Sequence, residues 1–162
     1  MAANAFRPHL LIVPEDDANL QIVNGFLLGM RGSSRSVQLE PPAGGWVKVI
    51  ERFEAEIEPT LARYPERLVL LLIDCDGDLT RLDAVRQRVR QDFADRVFAL
   101  GAGTEPEDLR KDLGAYEKIG GVVATQCEEG IGEVWDHELL RHNIPEVKRL
   151  RAAAGGLLGF RA

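Results

Sequence analysis

The stretch from Leu68 to Asp78, LVLLLIDCDGD, constrains this chain more than any other. Six consecutive apolar residues, Leu68 to Ile73, leave no polar face for solvent. A run this short is far below the roughly 20 residues that a membrane helix needs. A strand covered by helices on both faces of a parallel sheet has this composition. The abrupt switch to Asp74, Cys75, Asp76, Gly77 and Asp78 then marks the strand's carboxyl end and a tight turn.

A parallel sheet requires a helical crossover between strands, and the flanking sequence supplies them. His9 to Val13 (HLLIV) reads as a strand, with Asp16 or Asp17 as the N-cap of a helix carrying Leu20, Val23, Phe26 and Leu27. Ser36 to Glu40 alternates like a half-exposed strand. Trp46, Ile50, Phe53, Ile57 and Leu61 keep helical spacing, with Glu51, Glu54, Glu56 and Glu58 opposite and Pro59 expected to kink or shorten the helix. A third amphipathic helix carries Leu82, Val85, Val89 and Phe93. Arg96 to Leu100 is a further strand, and Tyr116 to Cys127, Ile131 to Leu139 and the segment up to Gly155 read as helical. The expected fold is one α/β domain over residues 1–162, a three-layer sandwich with a mostly parallel central sheet and a helical C-terminal extension over residues 113–162.

The chain has 162 residues, 45% of them hydrophobic, which excludes a disordered tail. Its net charge of −6 argues against gripping nucleic acid by bulk electrostatics. The charge is uneven: Arg141, Lys148, Arg149, Arg151 and Arg161 against Glu146 make residues 141–162 +4 and leave −10 for the remainder. A basic end on an acidic body suits contact with phosphates or a partner. Met1 to Arg7 lacks a charged start leading into an apolar core, so no export signal is expected. Two cysteines without metal-type spacing, Cys75 and Cys127, suit a reducing cytoplasm.

Ligands of open α/β sheets gather at the carboxyl ends of the strands, and the acidic clusters fall there. Glu15, Asp16 and Asp17 follow the first strand, Asp74, Asp76 and Asp78 the central one, and Glu105, Glu107 and Asp108 the fourth. Crowded carboxylates repel, and a hard divalent cation such as Mg²⁺ or Mn²⁺ neutralises them. Asp74 and Asp76, two apart around a turn at Gly77, are expected to face one crevice. With Glu15 and Asp78 they make the candidate metal set, Asp17, Glu105 and Glu107 being secondary. Among Arg81, Arg86, Arg88 and Arg90, close to Asp78 in sequence, Arg86 and Arg90 are the candidate phosphate contacts.

A strand ending in an acidic residue, a helix, and a later apolar strand ending in Asp-x-Asp (LLLIDCDGD) together resemble the topoisomerase-primase (Toprim) domain, especially the small Toprim-like proteins related to OLD-family nucleases and bacterial defence systems. The resemblance covers roughly residues 9–112. It implies a Mg²⁺-dependent nucleic-acid phosphodiester hydrolase or transferase, with Glu15, Asp74 and Asp76 as catalytic residues, Glu15 serving as acid/base or second ligand. One of Glu105, Glu107 or Asp108 would be a late acidic helper. By analogy it also implies a partner subunit such as an ATPase. The family's first motif is typically Glu-Gly with Asp four residues after the Glu, whereas Asp16 follows Glu15 here and Asn19 holds the fourth position.

The same residues admit other readings. LIVPEDDANLQIVNGFL also resembles a response-regulator receiver, in which Asp74 would accept phosphate, although Lys118 lies in a helical stretch rather than at a strand end. IDCDGDLT resembles the haloacid-dehalogenase phosphatase motif, with Asp74 as nucleophile and Asp76 as acid/base. A non-catalytic Toprim-like module that binds a partner through its helical end is a third alternative. His137, Glu138 and His142 imitate a zinc-protease motif, but histidines five apart do not share a helix face. Gly101 to Glu105 lacks the glycine and lysine pattern of a nucleotide loop. Trp46, Trp135 and Cys75 read as core residues, and WDHELLRHN, Trp135 to Asn143, is distinctive without assignable chemistry.

Overall fold

The computed structural model describes residues 3–162; Met1 and Ala2, part of the stretch read for an export signal, lie outside the described residues. Four strands, β1 (His9–Pro14), β2 (Val37–Leu39), β3 (Arg67–Leu72) and β4 (Val97–Leu100), form one sheet in the order β2-β1-β3-β4. Every pairing is parallel, with Leu11 opposite Val69 and Leu70 opposite Phe98. The two central strands, β1 and β3, carry the apolar runs, as burial on both faces demands.

Alternate residues point to opposite faces and divide the core in two. Leu10, Ile12, Leu70, Phe98 and Leu100 pack with residues of α1 (Asp17–Gly29), α4 (Pro106–Leu113), α5 (Tyr116–Cys127) and α6 (Ile144–Ala154). Leu11, Val13, Val69, Leu71 and Ile73 pack with α2 (Trp46–Arg52), its continuation, and α3 (Thr80–Gln87). The molecule is an α/β three-layer sandwich with an all-parallel sheet. No helix among the described residues is long and apolar enough to cross a membrane.

The long period from Trp46 to Leu61 is kept by α2 running into a π-helical turn, Phe53–Ile57, and a 3-10 turn, Glu58–Thr60, that accommodates Pro59. The segment Ile131 to Leu139 departs from the expected helix: it forms a 3-10 turn, Glu133–Asp136, after Gly132 at φ +98°, and a second, Arg141–Asn143, follows. Apolar spacing alone does not distinguish buried turns from a helix.

Helices α1 and α5 touch through their backbones. A Cβ added to Gly25 would sit 1.9 Å from the Glu117 carbonyl oxygen, and one at Gly120 would sit 1.8 Å from that of Ile22. Glycine is required there because any side chain would force the helices apart.

Among the described residues no fifth strand covers the outer edge of β4, which side chains close instead. Ala99 N–H donates to Glu146 Oε2 at 3.0 Å, and Gly101 N–H donates to Asn143 Oδ1 at 3.0 Å. Arg149 Nη2 donates to the Val97 carbonyl at 2.7 Å, and Asn143 Nδ2 to that of Gly101 at 2.9 Å. Alternate residues of the strand thus receive the partners that a neighbour would have given them, which removes a template for edge-to-edge pairing. Burial alone would raise the Glu146 carboxyl, but hydrogen bonds from Arg149 and Ala99 N–H, with the Arg149 and Arg86 charges, hold it below the usual range. The end of WDHELLRHN and the start of α6 therefore serve the sheet edge.

Candidate functional site

The carboxyl ends of β1 and β3 lie side by side because these strands pair along their whole length. The residues that follow them converge. Asp16 caps α1, its Oδ1 accepting from Asn19 N–H at 3.0 Å. That geometry directs the Asn19 amide inward, where Nδ2 donates to Asp16 Oδ1 at 3.0 Å and to Asp74 Oδ1 at 3.1 Å. Asn19 and Asp74 are each 8% exposed. A single buried amide thus holds two carboxyl groups from two strand ends.

Burial, then a hydrogen bond with Asp16 and the Asp16 charge, pushes the Asp74 carboxyl up to about 8. Asp74 in this state retains its proton at neutral pH, as a buried carboxyl beside another negative charge does. Glu15 sits beside it. Its Oε2 accepts from Asp74 N–H, and its carboxyl is raised chiefly by burial, which outweighs the backbone hydrogen bonds from Asp74 and Trp46. The loop before α2 folds over this residue, Gly44 N–H donating to the Glu15 carbonyl at 2.8 Å.

Asp74 and Asp76 do not face one crevice, contrary to the expectation from their spacing. Asp76 at φ +49° and Gly77 at φ +81° form a tight turn closed by Asp78 N–H to the Cys75 carbonyl at 2.8 Å. This left-handed pair is the signature of a type I′ turn, and it rotates Asp76 outward. The Asp76 side chain is 59% exposed and lies 3.7 Å from Arg81 Nη2. Asp78 accepts from Thr80 N–H and Oγ1, bonds that hold its carboxyl below the usual range. Cys75 is buried, its thiol pushed up to about 11 by burial and then by Asp74, which suits a core residue and not a nucleophile.

The remaining candidates lie elsewhere. Asp17 is exposed and accepts from Gln21 Nε2 at 2.6 Å. Glu105 precedes α4 and Glu107 occupies its first turn, both exposed, while Asp108 accepts from Thr104 Oγ1 at 2.6 Å. Arg86 is engaged by Glu146, Asp83 and the Ala99 carbonyl. Arg90 pairs with Asp92 and lies over Phe93. Arg81 is the arginine at the crevice: Nη1 donates to the Asp74 carbonyl at 3.1 Å, and its guanidinium lies over the Trp46 ring at 5.2 Å. His137 bonds Asp112 and His142 bonds the Gly101 carbonyl, so the histidines of the imitated zinc motif part company.

Asp16 and Asn19 stand outside the site set that the sequence predicts, Asp16 being expected as a helix cap and Asn19 as a departure from a motif. The available signal was Asp-x-x-Asn at a helix start, a spacing that brings the fourth side chain back over the cap.

No group of three or more His, Cys, Asp or Glu among the described residues is arranged to hold a metal ion. The donor set nonetheless fits Mg²⁺ held the way it usually is, by one or two carboxylates, with water and substrate oxygens completing the shell. Asp16 and Asp74 would be those carboxylates, the ion displacing the Asp74 proton. Compared with family models, curated proteins and solved structures, the chain matches none.

Proposed function

We propose that this chain performs Mg²⁺- or Mn²⁺-dependent phosphodiester chemistry on nucleic acid, as a Toprim-like hydrolase or transferase. The observation that carries the reading is the Asp16–Asn19–Asp74 bridge across the carboxyl ends of the two central parallel strands. A bound divalent ion supplies Lewis-acid polarisation of a phosphoryl oxygen. Asp74 and Asp16 would hold it, with Asn19 bridging the two carboxyl groups. Glu15, its carboxyl raised by burial, exchanges a proton at Oε1 or Oε2 as general acid/base. Arg81 presents its guanidinium to a phosphate after leaving Asp76, a weak surface pairing at 3.7 Å. The acidic surface leaves the nucleic-acid grip to a partner subunit such as an ATPase, and two free, buried cysteines suit a cytoplasmic setting.

The test is cleavage of single- and double-stranded DNA and RNA with Mg²⁺ or Mn²⁺, alone and with candidate partner subunits. Asp74→Ala should lower activity on the order of 100-fold with the helical signal retained. Activity unchanged by Asp74→Ala refutes the assignment, and a folded chain that binds no divalent ion supports a non-catalytic partner-binding module instead. A second reading, an aspartate-based phosphoacceptor, draws on the strand order, which is that of the first four strands of flavodoxin-like receivers. A stable phosphoaspartate at Asp74 after treatment with acetyl phosphate would put that reading first.

A further inference from the structure

The part of WDHELLRHN that precedes the β4 closure, Trp135 to Leu139, leads by backbone hydrogen bonds to the turn that carries Asp76 and Asp78. The Leu139 carbonyl accepts from Gly103 N–H at 2.8 Å, and the Gly103 carbonyl accepts from Gly77 N–H at 2.8 Å. Beside them Cys75 N–H donates to the Ala102 carbonyl at 3.0 Å. These bonds anchor the turn from outside, since no atom lies within 4 Å of the place that a Gly77 Cβ would occupy.

One titratable side chain sets the position of Leu139. Leu139 N–H donates to His137 Nδ1 at 3.1 Å, and His137 Nε2 bonds Asp112 Oδ2 of α4 at 2.8 Å. An amide N–H only donates, so Nδ1 is the acceptor and the proton of the neutral ring sits on Nε2. A second proton lands on Nδ1. The imidazolium keeps its bond to Asp112, now as an ion pair, but sets N–H against N–H across 3.1 Å, so Leu139 must leave the ring. Histidine is the side chain suited to such a change at physiological pH. Asp112 faces His137 from α4, and Asp136, Glu138 and Arg141 lie close to it in the chain. His142, whose ring lies by Gly103, donates from Nε2 to the Gly101 carbonyl at 2.6 Å and keeps that bond in both protonation states. We infer that His137 is a pH-responsive latch on the Asp76–Asp78 turn: the neutral ring holds Leu139, Gly103 and Gly77 together, and the imidazolium frees them. Asp76 and its pairing with Arg81 move with this turn, so the latch regulates the crevice mouth whatever reaction takes place there.

Amide exchange of Gly77 and Gly103 in the full chain, followed by NMR and expressed as protection over an unstructured chain, measures the latch. Protection should fall about fivefold from pH 7.5 to pH 5.5, the ratio expected of one net hydrogen bond. His137→Asn offers Leu139 N–H, two residues on, an oxygen that does not titrate, and should keep protection high at both values. His137→Ala, with no acceptor, should keep it low at both. His9 and His142 are present in every variant, so a fall that survives in His137→Asn belongs to them and overturns the inference. Protection lost in His137→Asn at both values overturns it too, as does constant protection in the wild type or a His137→Ala variant that matches the wild type at pH 7.5. If His137→Ala fails to fold, the wild type and His137→Asn decide alone.

Discussion

Replacing Asp74 by asparagine keeps the side-chain shape and an oxygen for Asn19 Nδ2 while removing the titrating group. In the metal-free protein the Asp74 carboxyl ionises at about 8 against an ordinary 3.8. Because the folded-state value is the higher one, the two states bind equal protons below about pH 4. As pH rises further the unfolded chain ionises first, and stability declines until the folded carboxyl also ionises near pH 8. At pH 7 the full penalty is ~4 kcal/mol at about 1.4 kcal/mol per pH unit. Solvent screening and the dependence of the shift on the neighbouring Asp16 charge reduce this to ~2 kcal/mol. Asp74→Asn should therefore raise Tm by ~4–8 °C at pH 7 and by little at pH 4.5, for a chain of this size. Thermal unfolding in EDTA across pH 4.5–8.5 measures the difference. Saturating Mg²⁺ should raise the Tm of the wild type and leave the variant unmoved. A wild type that gains stability relative to Asp74→Asn as pH rises would refute the reasoning, since Asp74 would then be an ordinary ionised carboxylate.

Asn19→Ala removes the amide between Asp16 and Asp74 and should cost about 1–3 kcal/mol at pH 7, read as a lower urea midpoint. Gly25→Ala should cost about 3 kcal/mol, because the added methyl meets the Glu117 carbonyl at the α1–α5 contact; denaturant unfolding checks this. Glu146→Ala strands the Ala99 N–H and leaves Arg149 and Arg86 without their carboxylate, a loss of about 3–5 kcal/mol expected in the same assay. His9, buried between the Arg7 carbonyl and Arg67 Nε, has its pKa lowered below 6.5 by burial and then by the Arg67 charge. Only the unfolded chain gains that proton as pH falls through 6.5, so stability drops there, and His9→Gln should flatten the slope between pH 7 and 5.5.

The layers of the fold were legible because apolar runs and helical spacing are local signals. Leu68 to Ile73 announces a doubly covered strand, and the acidic run after Val13 announces a helix start. The site was legible to the level of strand ends. Which carboxylates meet was not, because a type I′ turn at Asp76 and an amide three residues past a helix cap decide it. The first depends on a left-handed backbone angle that Asp tolerates and does not dictate, the second on where the helix cap falls. The edge closure of β4 was also hidden: Asn143, Glu146 and Arg149 look like a solvated helix face until the missing fifth strand is known. Arg86 belongs to that closure, and Arg81 replaces it at the crevice.

Calorimetric titration of the metal-free chain with Mg²⁺ at pH 7.5, in two buffers of different ionisation enthalpy, tests the paired-carboxylate site most directly. One ion should bind per chain with release of a proton, so that the observed heat differs between buffers, and Asp74→Asn should show neither binding nor release. A wild type that binds no ion at millimolar concentration, or an isotherm that Asp74→Asn reproduces, would contradict the account.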